Sequence, residues 1–270
     1  MDDLVLFIDG QAYVFGYHYI PVYIFIAIFG ACIGSFLNVV ISRLPEQGAF
    51  LSDKRSHCPQ CNQTIRWYDL FPVISWFILR GRCRDCKARI SLRYLFVEIT
   101  AALFAIVCLW RFGLNFQALI VFGVSMILLA VTLIDFDTSE IPDSLCIALI
   151  PFAVASIWLL PGITWLSHII GIVTVALPML LLSLFIAGAF GGGDIKLMAV
   201  CGLLLGWQLT LLAFFIALLL GGIAAIYLIA SGRRERGQHM VFGPALCIGI
   251  VTALFYGSEI IGLYLGLFMF

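Results

Sequence analysis

Apolar runs of about 18 residues or more recur along this chain, and each is long enough to cross a bilayer as a helix. Eight are expected, at roughly 19–42, 94–112, 115–134, 144–160, 165–187, 195–208, 209–230 and 244–268, with the 195–230 division the least sharply marked. The chain is 63% hydrophobic and 11% charged, more apolar surface than a soluble fold of 270 residues needs to bury. The expected class is an all-α polytopic membrane protein of about eight transmembrane helices. One substantial polar block remains, residues 45–93, between a first segment (1–44, a tail and the first helix) and a membrane core (94–270).

Met1-Asp2-Asp3 is acidic, whereas a cleavable signal sequence opens with basic residues, so the first run is expected to stay as a permanent helix with the acidic tail outside. Formal net charge is zero, but ten of the 15 Lys and Arg residues lie between Arg43 and Arg93. Arg233, Arg234 and Arg236 form a second cluster after the seventh run. Basic loops stay on the cytoplasmic side. With eight spans, the loops after the first, third, fifth and seventh share that side. The 45–93 block, Asp135, Asp194 and the Arg233 cluster all fall in or beside those loops.

The polar block holds Cys58-Pro-Gln-Cys61 and Cys83-Arg-Asp-Cys86, two CxxC pairs separated by 21 residues. This is the spacing of a four-cysteine zinc ribbon, whose site is structural because all four positions are protein ligands. Two disulfides are the competing arrangement, disfavoured in a cytoplasmic loop. Metal ligation would supply much of the folding free energy of so small a block. Between the pairs, Trp67–Leu79 is aromatic and aliphatic and too short to span. It reads either as an interfacial segment on anionic lipid or as the ribbon's own core. Cys32, Cys108, Cys146, Cys201 and Cys247 lie singly in apolar runs and are expected to be small buried residues.

Carboxylates at membrane depth are costly without a partner and so point to function. Asp194 sits in Gly191-Gly192-Gly193-Asp194-Ile195-Lys196, between two apolar runs. Glycines permit positive φ and close backbone approach, so a sharp bend presenting Asp194 to a cavity is expected; an N-cap at a glycine turn is the plainer account. Lys196 either snorkels to headgroups or biases Asp194. Among Asp135, Asp137, Glu140 and Asp143, the last fits a helix first turn after Pro142, and Asp137 and Glu140 read as a solvated turn. Asp135 abuts the apolar run directly and is the expected partner of Asp194, with Asp143 next.

These residues resemble the type IV prepilin leader peptidases, bacterial membrane aspartic proteases of the GxGD type. The likeness runs through Gly34-Ser-Phe-Leu-Asn-Val-Val-Ile-Ser-Arg-Leu-Pro45, the two CxxC pairs, Ile90–Glu98, Leu133–Asp143, Gly191–Lys196 and Phe242-Gly243-Pro244. Val241 and Tyr94-Leu95 depart from the usual pattern without touching the proposed chemistry. The resemblance implies a catalytic pair of Asp135 and Asp194, with Gly191, Gly193 and Lys196 supporting the loop. It implies cleavage of the basic leader from prepilins or pseudopilins at the cytoplasmic face of the bacterial inner membrane. It also implies methylation of the new N-terminus from S-adenosylmethionine. The donor is implied by the family alone, since no glycine-rich dinucleotide fingerprint is present. The 45–93 block is the expected home of that activity. Gly81, Arg82 and Glu98 are candidates there, with a turn glycine, a surface cation and a helix-buried acid as equally good structural accounts. Membrane lipid is an expected partner and nucleic acid is not. A transporter or channel using the two acids as an ion relay is the alternative; acids confined to one face and the lack of an internal repeat weigh against it.

Overall fold

The computed structural model describes residues 4–8, 11–15, 20–45, 55–159, 163–186, 190–231 and 241–268. The acidic Asp2-Asp3 tail and the Arg233–Arg236 cluster lie outside them. Helices dominate: α1 (Ile20–Arg43), the short α2 (Ile74–Ile78), α3 (Leu92–Phe112), α4 (Phe116–Thr138), α5 (Asp143–Leu159), α6 (Trp165–Phe185), α7 (Gly192–Ala230) and α8 (Gly243–Phe268). The helical class expected from the apolar runs is what the chain forms. One element was not foreseen, an antiparallel pair of short strands, β1 (Leu4–Ile8) and β2 (Gln11–Phe15).

Among the described residues, six helices are long and apolar enough, by length and composition, to cross a membrane, and α5 is a shorter apolar helix. Large apolar side chains such as Phe25, Phe96, Trp158, Phe185 and Ile226 stand exposed along them. Such surface is stable only against lipid or a partner. Boundaries fall within a few residues of the expected ones, with two instructive differences. First, α4 runs past the last apolar residue to Thr138, whose hydroxyl returns to the Ile134 carbonyl at 2.9 Å. It ends where Ser139 takes φ 56°.

Second, α7 is 39 residues long but leaves helical angles at Gly206 (φ 75°, ψ 167°). A straight helix would hold Gly192 and Phe214 about 33 Å apart. Instead the Phe190 ring, two residues before the helix, lies 6.2 Å from that of Phe214. The chain therefore doubles back at Gly206, giving antiparallel arms 192–205 and 207–230. Among the described residues, the six long helices, the shorter α5 and this division of α7 make eight apolar segments, with the sixth and seventh parting at Gly206 rather than near 208. The carbonyls exposed by the reversal find partners on neighbouring helices. His168 Nδ1 donates to the Leu203 carbonyl (2.7 Å) and the Ser156 hydroxyl to that of Leu204 (3.1 Å).

The chain forms two compact units, residues 1–118 and 119–270. In the first, α1 packs on α3 through glycine: a Cβ on Gly30 would lie 2.7 Å from the Ala101 carbonyl oxygen, and one on Gly34 2.9 Å from Glu98 Cα. In the second, α6 and the first arm of α7 touch backbone to backbone at Gly171 and Gly202. The second arm runs alongside α8, with Gly221 against Phe242 and Gly257 against Leu209. That arrangement brings the end of α4 and the beginnings of α5, α7 and α8 to one end of the unit. Gly206 and Ile163 are at the other.

Candidate functional site

Two sites emerge, one in each unit. In the second unit, Asp135 lies in the last turn of α4 and Asp194 in the first turn of α7, and only 5% and 9% of their surfaces remain exposed. Burial to that depth separates them from Asp137 and Glu140, which stand exposed as expected. The rings of Phe190 and Phe242, beside the starts of α7 and α8, meet at 5.7 Å, which puts both carboxyls at one end of the unit. Asp143, the other candidate partner, is exposed at the start of α5 and takes Lys196 instead, with Nζ at 2.7 and 2.8 Å from its two carboxylate oxygens. Lys196 therefore ties α7 to α5.

Each buried carboxylate is held by one backbone N–H. Gly191 N donates to Asp194 Oδ2 (3.2 Å) and Gly243 N to Asp135 Oδ2 (2.9 Å). The first contact is the helix-capping role weighed for Asp194, made here from the third helical residue back to the cap. The second uses an N–H at the start of α8 that has no intrahelical partner. It gives Phe242-Gly243-Pro244 a physical purpose that its letters do not reveal. A Cβ on Gly243 would sit 2.9 Å from the carboxyl carbon of Asp135, so only glycine lets α8 begin there.

The triple glycine works differently from expectation. No residue of 191–193 has positive φ, and Gly191 is extended (φ −69°, ψ 147°). Close approach is what they supply. A Cβ on Gly193 would lie 2.8 Å from Ile141 Cβ and one on Gly191 3.1 Å from Asp194 Oδ2, whereas one on Gly192 would meet nothing within 4 Å.

In the first unit, the sulfurs of Cys58, Cys61, Cys83 and Cys86 all lie within 4.8 Å of one another, close enough to hold a metal. All four are free thiols, so the disulfide arrangement is not the one formed. Cys58 and Cys86 Sγ are 3.8 Å apart, the edge of a tetrahedron with bonds of about 2.3 Å. The two pairs fold alike. Cys58 N donates to the Gln63 carbonyl and Asn62 N to that of Cys58; Cys83 N donates to the Ala88 carbonyl and Lys87 N to that of Cys83. Asn62 and Lys87 both take positive φ, and bridges His57–Thr64 and Arg82–Arg89 close the two turns. The backbone N–H groups of Cys61 and Gln60 pull the Cys58 thiol down to about 7, toward the thiolate a metal needs.

Between the turns, Asp69 and Arg84 pair through two hydrogen bonds (2.8 and 2.6 Å), which hold the Asp69 carboxyl below its usual range. Neither Trp67–Leu70 nor Ile74–Ile78 contains a buried residue. Trp67, Phe71, Ile74, Phe77 and Ile78 form an exposed apolar face, so this stretch is not the ribbon's core. Trp76 turns inward onto Gly81 (φ +64°), where a Cβ would lie 2.7 Å from the indole. Gly81 is thus a turn glycine that seats a ring, and Arg82 is an exposed cation. Glu98 lines a cavity between α1, α3 and the ribbon.

The chain resembles known proteins over most of its length. Residues 28–112 match the bacterial peptidase A24 N-terminal domain, and residues 121–226 match the type IV leader peptidase family. It is 34% identical over 241 residues to a prepilin leader peptidase/N-methyltransferase of Bacillus subtilis (strain 168), covering 88% of this chain and 96% of that relative. Proteins of the same name from Pseudomonas putida and Legionella pneumophila are 34% and 30% identical, covering 86% and 92% of this chain and 90% and 96% of the relatives. No solved structure matches it.

Proposed function

The chain belongs to the type IV leader peptidase family, and from that premise we propose that it cleaves the basic leader from prepilins or pseudopilins. It then methylates the new N-terminal amine. Cleavage takes place at the cytoplasmic face of a bacterial inner membrane, where the substrate's apolar helix enters from the lipid and its junction meets Asp135 and Asp194.

One observation carries the peptidase reading: two buried carboxyls at one end of the unit, each with Oδ2 tied to a backbone N–H. The tethers hold one oxygen of each side chain and leave the other for the reaction. Two carboxyls this close share a proton and titrate as a pair. The ionised member takes a proton from water as its oxygen attacks the scissile carbonyl, while the protonated member donates to the carbonyl oxygen. Collapse of the tetrahedral adduct breaks the C–N bond, and the amine leaves with a proton returned by the pair. Burial matters because bulk water would screen both carboxyls and hydrolyse nothing selectively.

In the 45–93 block, the thiolates of Cys58, Cys61, Cys83 and Cys86 would hold zinc, whose part would be to shape the ribbon rather than to act on substrate. S-adenosylmethionine, when bound, supplies an electrophilic methyl: the amine nitrogen takes it, the C–S electron pair stays on sulfur, and the alkylated nitrogen gives up one proton. The exposed face from Trp67 to Ile78 rests on lipid, with its aromatic rings at headgroup depth.

Purified protein incubated with a precursor pilin and the methyl donor tests the reading. Mass spectrometry of the product should show loss of the leader and one added methyl. An intact precursor after incubation with well-folded protein would overturn the peptidase assignment. An ion relay would instead leave the precursor whole and conduct in vesicles.

A further inference from the structure

We infer that the methyl donor binds in the cavity of about 490 Å³ that lies between α1, α3 and the four-cysteine ribbon; this rests on the methyltransferase half of the proposed function. The volume is in the range of small-molecule sites and far larger than a metal ion needs.

The cavity is written into both helices. Ser35, Asn38 and Ser42 recur at i, i+3 and i+7 along α1, and Ser91, Tyr94 and Glu98 do the same along α3; all six line the space. Both helices are otherwise apolar enough to span. A polar face on such a helix serves a cavity rather than lipid. Farther along, Gly30 and Gly34 press against Ala101 and Ala105 and close the gap. The cavity therefore has an apolar floor, polar walls and the ribbon as its roof.

Two groups in it specify the ligand. The Glu98 carboxylate accepts hydrogen bonds from the Val73 N–H (2.7 Å) and the Ser35 hydroxyl. Both donors are neutral, so Glu98 is open to a cationic centre, while Arg43, Arg66, Arg84 and Arg89 on the ribbon side of the same cavity suit a ligand that also carries a carboxylate. Val73 is held at φ 62°, a conformation that is rare and strained for a β-branched residue, in making that contact. Trp76 lines the same space, seated on Gly81, and its indole N–H is buried without a hydrogen-bond partner. A ligand with a cationic centre beside a flat heteroaromatic ring bearing acceptors fits both. The adenosyl sulfonium is such a molecule: its sulfonium lies with Glu98 and its purine with the indole, where an aromatic face also favours the cation.

The test uses the charge of the ligand. S-adenosylmethionine carries the sulfonium; S-adenosylhomocysteine has a neutral sulfur in the same frame. Calorimetric titration of the full-length, zinc-loaded protein in detergent should show both binding. Glu98→Gln should weaken the sulfonium compound on the order of tenfold, the scale of a lost charge-assisted contact, and the thioether by less than about threefold. Trp76→Phe keeps the ring and removes the donor, and should weaken both ligands alike. Zinc content and unfolding temperature establish that each variant is folded. If the wild type binds the donor and methylates but both folded variants bind it with unchanged affinity, the cavity assignment is overturned and the methyltransferase reading stands. If the wild type neither binds the donor nor methylates a cleaved substrate, both fall.

Discussion

A carboxylate in an apolar run cannot hide in a sequence, which is why Asp135 and Asp194 were legible before any fold was known. Gly243 was not, because what it contributes is a main-chain N–H, and every residue but proline carries one. The residue scale therefore yields contrasting tests. Asp135→Asn and Asp194→Asn should each abolish leader cleavage in protein that still inserts, since an amide cannot serve as base; full cleavage by either would sink the pair. Gly243→Ala forces a methyl against the Asp135 carboxyl, and a displacement near 1 Å costs on the order of 10²-fold in rate. Within the triple glycine the outcome should split. Gly192→Ala meets nothing and should cleave within about twofold of wild type, because an unstrained Gly→Ala is neutral or mildly stabilising. Gly193→Ala drives a methyl into Ile141 and should fall well below that. Initial rates on a precursor pilin, at matched membrane levels, decide all of these.

Helices were easier to foresee than their ends. The apolar runs located all eight segments, since length and hydrophobicity are local properties. The division of the 195–230 run was expected near 208 and falls at Gly206, because one glycine among 25 looks like any other until its neighbours show where the chain goes. The Trp67–Leu79 stretch had two readings because a ribbon core and a lipid-facing segment draw on the same residues; only exposure separates them. Two predictions belong to elements. His168→Ala leaves the buried Leu203 carbonyl without its donor and should cost about 1–3 kcal/mol, read as a lower unfolding temperature in detergent. His168→Asn, which keeps a donor near the same place, should recover part of it. In the ribbon, changing Cys58, Cys61, Cys83 and Cys86 to serine should abolish metal binding by elemental analysis and reduce methylation more than cleavage. Serine supplies no thiolate, and the small block has little core to fall back on. A metal-free variant that methylates normally would show that the block folds without it.

At the scale of the whole molecule, the sequence assigns sides that the helix bundle alone leaves open. Basic residues concentrate between Arg43 and Arg93, and the positive-inside rule leads one to expect that block on the cytoplasmic side. Within the second unit, Asp135 and Asp194 lie at one end of the bundle and Gly206 and Ile163 at the other. A reporter that fluoresces only in the cytoplasm should therefore light up when fused after residue 93 or 138, and stay dark after residue 113 or 163. Fluorescence after both 93 and 163 would show an error in the span count. The doubling-back also bears on how the protein is made. A single residue joins the arms 192–205 and 207–230, so no hydrophilic loop has to be carried through the bilayer between them. The first arm, at 14 residues about 21 Å long, is shorter than the hydrocarbon core of about 30 Å. The two arms are therefore expected to enter the membrane together as one hairpin, and a chain truncated at residue 206 should leave residues 192–205 outside it, as protease accessibility of the nascent chain would show.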